Sequence, residues 1–204
     1  MSEPKFQRRK DDRPQEIAEA AFSAFAEKGY AATRVADVAR RAGVSKGLMY
    51  LYFKTKQDLF RAVIRQFVVP QVREVARSVD LWPGTAAEFL RGPFRARVLK
   101  LLRSRLVVIF RLMIAEGPKH PDLTAYYHEN VISVVLQALQ KLVRRAVDAG
   151  EFAPTPITRF PQLLITPMVF AAAWSIVFEP HEKLPAEDLI DAHLETLLRA
   201  LEPA

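Results

Sequence analysis

Apolar positions recur with the helical period through nearly the whole chain, and the breaks in that pattern fall at glycines and prolines. From Pro14, the spacing of Ile17, Ala20, Ala21, Ala24 and Phe25 predicts a first helix that Gly29 stops. Thr33 stands where the N-cap of a second helix is needed, and Asp37 lies in its first turn near the positive end of the helix dipole. Val35, Val38 and Ala39 give that helix a small apolar stripe, and Gly43 ends it. Ser45 opens a third short helix that runs to about Phe53. Two short helices joined by a glycine turn predict a helix-turn-helix over Thr33 to Lys56.

The pattern continues beyond it. Thr55 with Asp58 fits a capping box for a helix carried by Leu59, Val63, Phe67, Val72, Val75 and Val79 to the Trp82-Pro83-Gly84 stop. Pro70 predicts a kink near Val69. Thr85 and Glu88 repeat the capping signature before a run to Ala115, with Gly92-Pro93 as a candidate break and Gly117-Pro118 as the stop. Asp122 is the expected cap of a helix through Tyr126, Leu136, Leu139, Leu142 and Ala146, ending at Gly150. Another follows the Pro154/Pro156 loop to Pro180, and a last one spans Ala186 to Leu201. No segment alternates with period two between turns, so the fold class is all-α: an N-terminal three-helix domain containing the helix-turn-helix, then a C-terminal helical domain.

The last two helices predict assembly. Phe160, Leu164, Ala171 and Phe178 lie on one stripe of the penultimate helix and Ile165, Val169 and Ile176 lie roughly opposite, leaving no polar face. The last helix, with Leu189, Ile190, Leu194, Leu197, Leu198 and Leu201, also has a wide apolar arc. A homodimer through about residues 157–179 and 186–201 completes the burial; a helix buried centrally in a monomer is the alternative.

Charge adds a partner. The chain carries +7 with a pI of about 9.8. Residues 1–56 hold twelve Lys and Arg against seven Asp and Glu, a net of +5, whereas the remainder holds eighteen against sixteen. The excess therefore sits at the helix-turn-helix end, as a phosphate-binding module requires. Such a unit places its second helix in the DNA major groove with Ser45, Lys46, Gly47 and Leu48 nearest the base edges. Residues 1–13 read as a flexible arm whose Arg8, Arg9, Lys10 and Arg13 either touch phosphate or solubilise the terminus.

Other classes are poorly supported. The chain has no cysteine, which removes disulfides and thiolate chemistry and fits a reducing cytoplasm. No apolar run follows the N-terminal charges, so no signal peptide is expected, and no segment reaches the ~20 residues of a membrane span. The pair His128-Glu129 lacks a second histidine at Ile132, and neither a nucleophile elbow nor a glycine-rich phosphate loop is present. An enzyme, a metal site and a cofactor are accordingly not expected.

Residues 14–60 resemble the TetR family of bacterial transcriptional repressors. The likeness rests on Ile17, Ala20, Ala21 and Phe25, the run Glu27 to Tyr30, Thr33, the run Asp37 to Gly47, and Tyr50, Tyr52, Phe53 and Lys56. The resemblance implies a homodimer with two DNA-binding heads, a palindromic operator in double-stranded DNA, and a C-terminal domain that binds a small-molecule effector and is a repressor released by it. The domains implied are 14–56 for DNA binding and 57–204 for the connector helix, effector binding and dimerisation. The family's contact pattern falls on Thr33 and Tyr52 at phosphates, Ser45, Lys46 and Tyr50 in or beside the major groove, Lys56 on the backbone, and Gly47 where the duplex comes close. Leu48 departs from the threonine many members carry, replacing a hydroxyl donor by an apolar contact suited to a thymine methyl. Val44, Met49 and Phe53 read as core. Phe110, Met113, Tyr126, Tyr127, Met168 and Trp174 are candidates for an apolar effector cavity, against the plainer reading of ordinary core. A dimeric DNA binder without an effector is the alternative function.

Overall fold

The computed structural model describes residues 5–203, and every regular element among them is helical. The elements are α1 (Lys5–Ala32), α2 (Val35–Arg41), α3 (Lys46–Tyr52), α4 (Lys56–Val63), α5 (Val69–Leu81), α6 (Ala86–Phe89), α7 (Arg95–Leu102), α8 (Val107–Glu116), α9 (Pro121–Tyr127), α10 (Ser133–Asp148), α11 (Pro156–Arg159), α12 (Gln162–Val177) and α13 (Ala186–Leu201). They form two compact units. The first holds the chain up to Pro70 together with Leu112–Tyr127, and the second holds Gln71–Arg111 and His128–Ala204. The expected boundary between residues 56 and 57 falls inside the first unit, at the start of α4.

In the first unit, α1 packs on α2 and α4, and α4 also packs on α9. Ile17, Phe22, Phe25, Tyr30, Met49, Leu59, Phe60 and Ile64 lose essentially all solvent contact. Each such side chain contributes roughly 1.5–3 kcal/mol of apolar burial. The Phe25, Tyr30 and Phe60 rings meet at 5.4–5.8 Å, and the His120 ring closes on Tyr30 at 5.1 Å. In the second unit, one core joins Phe89 and Leu90, Val98 and Leu99, Leu139 and Leu142, and Ile190, Leu194 and Leu198. Glu151, just past α10, accepts from the Ala86 and Ala87 backbone N–H groups at 2.8 and 2.7 Å and so ties off the start of α6.

Several local expectations change. The first helix begins at Lys5, so residues 5–13 of the expected flexible arm are helical; residues 1–4 lie outside the described residues. The break at Gly29 is real, because its φ of 76° is left-handed and interrupts the helical run. Thr33 does not cap α2: Arg34 holds that position, and the Thr33 hydroxyl instead donates to Gly29 O at 2.7 Å and Ala24 O at 3.2 Å. The hydroxyl is thus engaged by α1 carbonyls around the Gly29 break rather than by α2. Asp122 lies in the first turn of α9, and His120 O accepts from the Leu123 and Thr124 amides.

At Pro70 and Pro93 the chain answers with wider helical turns. Residues Ile64–Val68 form a π turn in which the Val69 amide donates to Ile64 O, one residue ahead of Pro70, whose missing N–H the wider turn accommodates. Leu90–Phe94 makes the same adjustment around Pro93 instead of breaking. The run to Ala115, with its candidate break at Gly92-Pro93, breaks instead at 103–106. There the Ser104 hydroxyl donates to Leu101 O at 2.8 Å and accepts from the Leu106 amide at 3.2 Å, replacing helical bonds by local ones. The penultimate helix is likewise interrupted, between α11 and α12 at Phe160-Pro161.

Candidate nucleic-acid interface and effector cleft

The orientation of α3 is fixed by its two ends and its inner face. After α2, Gly43 adopts φ 65° and its amide donates to Arg40 O at 3.2 Å, while the Val44 amide donates to Ala39 O at 3.0 Å. This is the Schellman pattern, which ends a helix and redirects the chain within two residues. Ser45 then caps α3, its Oγ accepting from the Leu48 amide at 3.1 Å, and the O–H remains a donor. Met49 at 0% and Phe53 at 5% exposure anchor the inner face.

What remains outward is specific. Ser45, Lys46 and Gly47 are exposed, Tyr50 is 43% and Leu51 is 72% exposed, and Leu48 and Tyr52 are half-buried. The Lys46 Nζ stands 6.0 Å from the Tyr50 ring centre. A Cβ added to Gly47 would meet nothing within 4 Å, and its backbone needs no positive φ. The fold therefore does not require glycine there. Arg34 and Lys54 are exposed cations that, like Lys46, form no ion pair among the described residues. By contrast Arg40 is held by Asp37 at 3.0 Å and Arg41 by Glu27 at 2.6 Å. Sequence alone did not single out Arg34 and Lys54, because only the folded arrangement shows which cations lack an internal partner.

Two of the expected contact residues are engaged inside the unit. Thr33 is 2% exposed, with its hydroxyl on α1 carbonyls. The Lys56 Nζ donates to Tyr30 O and Ala31 O at 2.8 and 3.0 Å and lies 4.5 Å from the Tyr30 ring centre, so it terminates α1. Burial pulls its ammonium below the usual lysine range, against an upward pull from Glu116. Beneath it, burial and then the charges of Asp122 and Glu116 push the Tyr30 phenol up to about 12. That hydroxyl is buried without a hydrogen-bond partner.

The six candidate effector residues do not converge. Met113, Tyr126 and Tyr127 belong to the first unit, where Met113 borders a small void beside Tyr30 and Phe60, and the Arg61 guanidinium lies 5.8 Å from the Tyr126 ring centre. Burial pushes the Tyr127 phenol up to about 12. Phe110, Met168 and Trp174 belong to the second unit. Met168 packs on its core, Phe110 is half-buried, and Trp174 lines an open cleft of about 600 Å³. The cleft walls are Leu99, Leu102, Val107, Val108, Ala171, Ile176 and Leu184, with Arg103, Arg111, Glu179, Glu187 and Asp188 supplying charge. Glu187 is already neutralised by Arg95 at 2.9 Å and Arg103 at 2.6 Å. Of the six sequence candidates only Trp174 lines this cleft; Leu102, Arg103, Val107 and Val108, which also line it, flank the unforeseen break at 103–106.

A short capped helix presented by a glycine turn on an all-helical frame defines a helix-turn-helix DNA-binding protein with a separate helical unit. Comparison with known proteins gives the lineage. The family model described as bacterial regulatory proteins, tetR family, matches residues 17–63, and that of the tetracyclin repressor-like C-terminal domain matches residues 84–193. The chain belongs to the TetR family of transcriptional regulators. The HTH-type transcriptional regulator YfiR of Bacillus subtilis is 24% identical over 203 residues, 95% of each chain. The fatty acid metabolism regulator protein of the same organism is 42% identical over 65 residues, 29% of this chain and 34% of its own. Among solved structures, a TetR-family regulator from Mesorhizobium loti superposes with a TM-score of 0.79 at 21% identity, over 98% of this chain and all of its own. FadR of Bacillus subtilis in complex with stearoyl-CoA gives 0.75 at 21%, over 92% and 99%. These structures share the fold. No helix among the described residues is long and apolar enough to cross a membrane, and as a TetR-family regulator the protein is not an enzyme.

Proposed function

We propose that the protein is a homodimeric, cytoplasmic repressor that holds a palindromic operator through two copies of α3 and releases it when a small molecule occupies the cleft of the second unit. The observation that carries the DNA reading is the outward face of α3: Ser45, Lys46, Gly47 and Tyr50 are exposed on a helix whose inner side is locked by Met49 and Phe53. Lys46, Arg34 and Lys54 supply cations for phosphate or guanine acceptors, and the half-buried Tyr52 at the end of α3 offers a hydroxyl for phosphate. Thr33 and Lys56 act differently in this reading, by fixing the end of α1 on which the face is mounted.

The dimer reading is supported by α12, whose inner side buries Leu164 and Ala171 while Phe170, Val177 and Phe178 remain 48–56% exposed. Effector control is supported by α8. Val107, Val108 and Arg111 line the cleft, and the following residues of the same helix, from Leu112, belong to the DNA-binding unit. A ligand that prefers one position of α8 shifts the population of head spacings, and half-sites about 34 Å apart tolerate only a matched spacing. The cleft's aliphatic wall suits a ligand with an apolar portion, so an acyl-CoA, the ligand carried by the Bacillus subtilis FadR structure, is the first compound to test.

The test is binding of the full chain to a palindromic fragment from its own upstream region at physiological salt. Preference for it over random duplex is expected; equal, purely salt-dependent binding to both overturns the regulator reading in favour of an effector-independent DNA binder. Displacement of that fragment by an acyl-CoA is the expected effector response.

A further inference from the structure

We propose that Leu51, flanked by Leu48, reads thymine C5-methyl groups in the major groove and is the residue that sets this chain's operator preference. The inference rests on the operator-binding reading above. Leu51 is the most exposed large hydrophobic side chain among the described residues, at 72%. An isolated surface leucine requires no explanation. Leu51 is not isolated: Leu48 lies three positions before it and Gly47 four, so all three share one side of α3, with the Tyr50 ring beside them.

The composition of that side is unusual for a solvated surface. The fold gains almost nothing from a leucine at position 51, because the side chain stays in water, and Gly47 removes even a Cβ from the neighbouring turn. The same helix-turn-helix carries Lys46 on α3, Arg34 at the start of α2 and Lys54 just past α3, all exposed and without an ion-pair partner among the described residues. An apolar patch on a helix-turn-helix that also carries free cations complements one surface chemistry in particular. The major groove is bordered by phosphates, and the thymine C5-methyl is its apolar feature. Guanine and adenine edges present hydrogen-bonding atoms that leucine cannot answer. Leu51 therefore favours thymine and disfavours cytosine at the contacted position.

The experiment uses the full chain and duplexes enriched from a random pool at physiological salt. Each thymine of the enriched half-site is replaced singly by deoxyuridine, which removes the methyl and leaves every hydrogen bond. For the wild-type protein one or two of these replacements are expected to weaken binding about fourfold, and about fifteenfold when made in both half-sites. Leu51→Ala is expected to bind the thymine and deoxyuridine duplexes alike, with an unchanged helical signal and melting temperature because the side chain is exposed. Equal deoxyuridine penalties in wild type and Leu51→Ala, no penalty at any thymine, or an enriched site without thymine overturns the proposal while leaving operator binding intact. Failure to enrich any sequence overturns the operator reading and this inference with it.

Discussion

Helices α3 and α12 both leave large apolar side chains in water, and they do so differently. On α3 the exposed Tyr50 and Leu51 are interleaved with Ser45, Lys46 and Gly47, and unpaired cations stand nearby. On α12 the exposed set is Val169, Phe170 and Val177, with Phe178 just beyond, and Trp174 is stacked between Phe170 at 5.7 Å and Phe178 at 4.9 Å without an intervening charge. Apolar exposure alone does not specify a partner. The polar atoms between the apolar ones do: the first face suits a charged groove with a few methyl groups, and the second suits a copy of itself.

The largest expected effect comes from forcing the α12 face to resemble the α3 face. Phe170→Asp places an unpaired charge where a partner's apolar surface is proposed to close, and light scattering should report a monomer. Operator affinity should then fall at least about a hundredfold, because the two half-sites are no longer bound by one linked particle. A Phe170→Asp protein that remains dimeric assigns assembly to some other surface. The helical signal of the variant is expected to be retained, because Phe170 is 48% exposed in the single chain, while its melting temperature should fall and lose its dependence on protein concentration as the subunit interface is lost.

The reverse substitution on α3 leaves assembly alone. Lys46→Ala should cost about 1–3 kcal/mol of operator affinity per half-site, with dimer and melting temperature unchanged. If Lys46 contacts phosphate, the loss is uniform across sequences and the salt slope falls by about one per half-site; if it contacts guanine, specificity relaxes at one position. Unchanged affinity removes Lys46 from the interface and leaves Arg34 and Lys54 as the cations to test.

How far these faces were legible beforehand follows from what each depends on. Elements fixed by local signals were readable: the capping boxes at Thr55 and Thr85, the glycine turn at Gly43 and the span of α13 all rest on residues within one or two turns. Signals with competing partners were not. Thr33 has a capping side chain, but the broken end of α1 at Gly29 takes its hydroxyl first. Lys56 reads as an available cation until the fold sets it against Tyr30 O and Ala31 O. Ser104 ends α7 where apolar residues still recur at helical spacing on both sides of it, so periodicity gives no warning. The six effector candidates were chosen by residue type alone, and type does not decide which unit a side chain joins.

A smaller effect tests the support beneath the DNA-binding face. The Tyr30 hydroxyl is buried without a partner, so Tyr30→Phe removes an unsatisfied group and should stabilise the protein by about 1–2 kcal/mol in thermal unfolding. The phenol also titrates. Its folded pKa, about 12, lies above the ordinary value near 10, so the folded state retains a proton that the unfolded state loses. This contribution is complete below about pH 10 and is lost as pH rises toward 12. The wild-type melting temperature should fall more steeply than that of Tyr30→Phe across that window. A destabilised Tyr30→Phe protein means that the hydroxyl has a partner, such as a water in the small void lined by Tyr30 and Glu116.

The smallest expected change in stability separates folding from recognition on α3 itself. Gly43 and Gly47 are four residues apart, and only Gly43 has a backbone that demands glycine, with φ 65°. At Gly47 an alanine meets no atom within 4 Å and has the better helix propensity, so Gly47→Ala should raise stability by about 0.5–1 kcal/mol. The same methyl projects from the face proposed to lie against the duplex, so operator affinity should fall while dimer and fold are retained. A variant that is both more stable and equally tight on DNA places the closest approach of the duplex elsewhere along α3. A variant more stable and weaker on DNA shows that the fold tolerates alanine here and the DNA contact does not. On α12, where the proposed partner is another apolar surface, an added methyl on the outer face carries no such penalty unless it blocks the packing of the two copies.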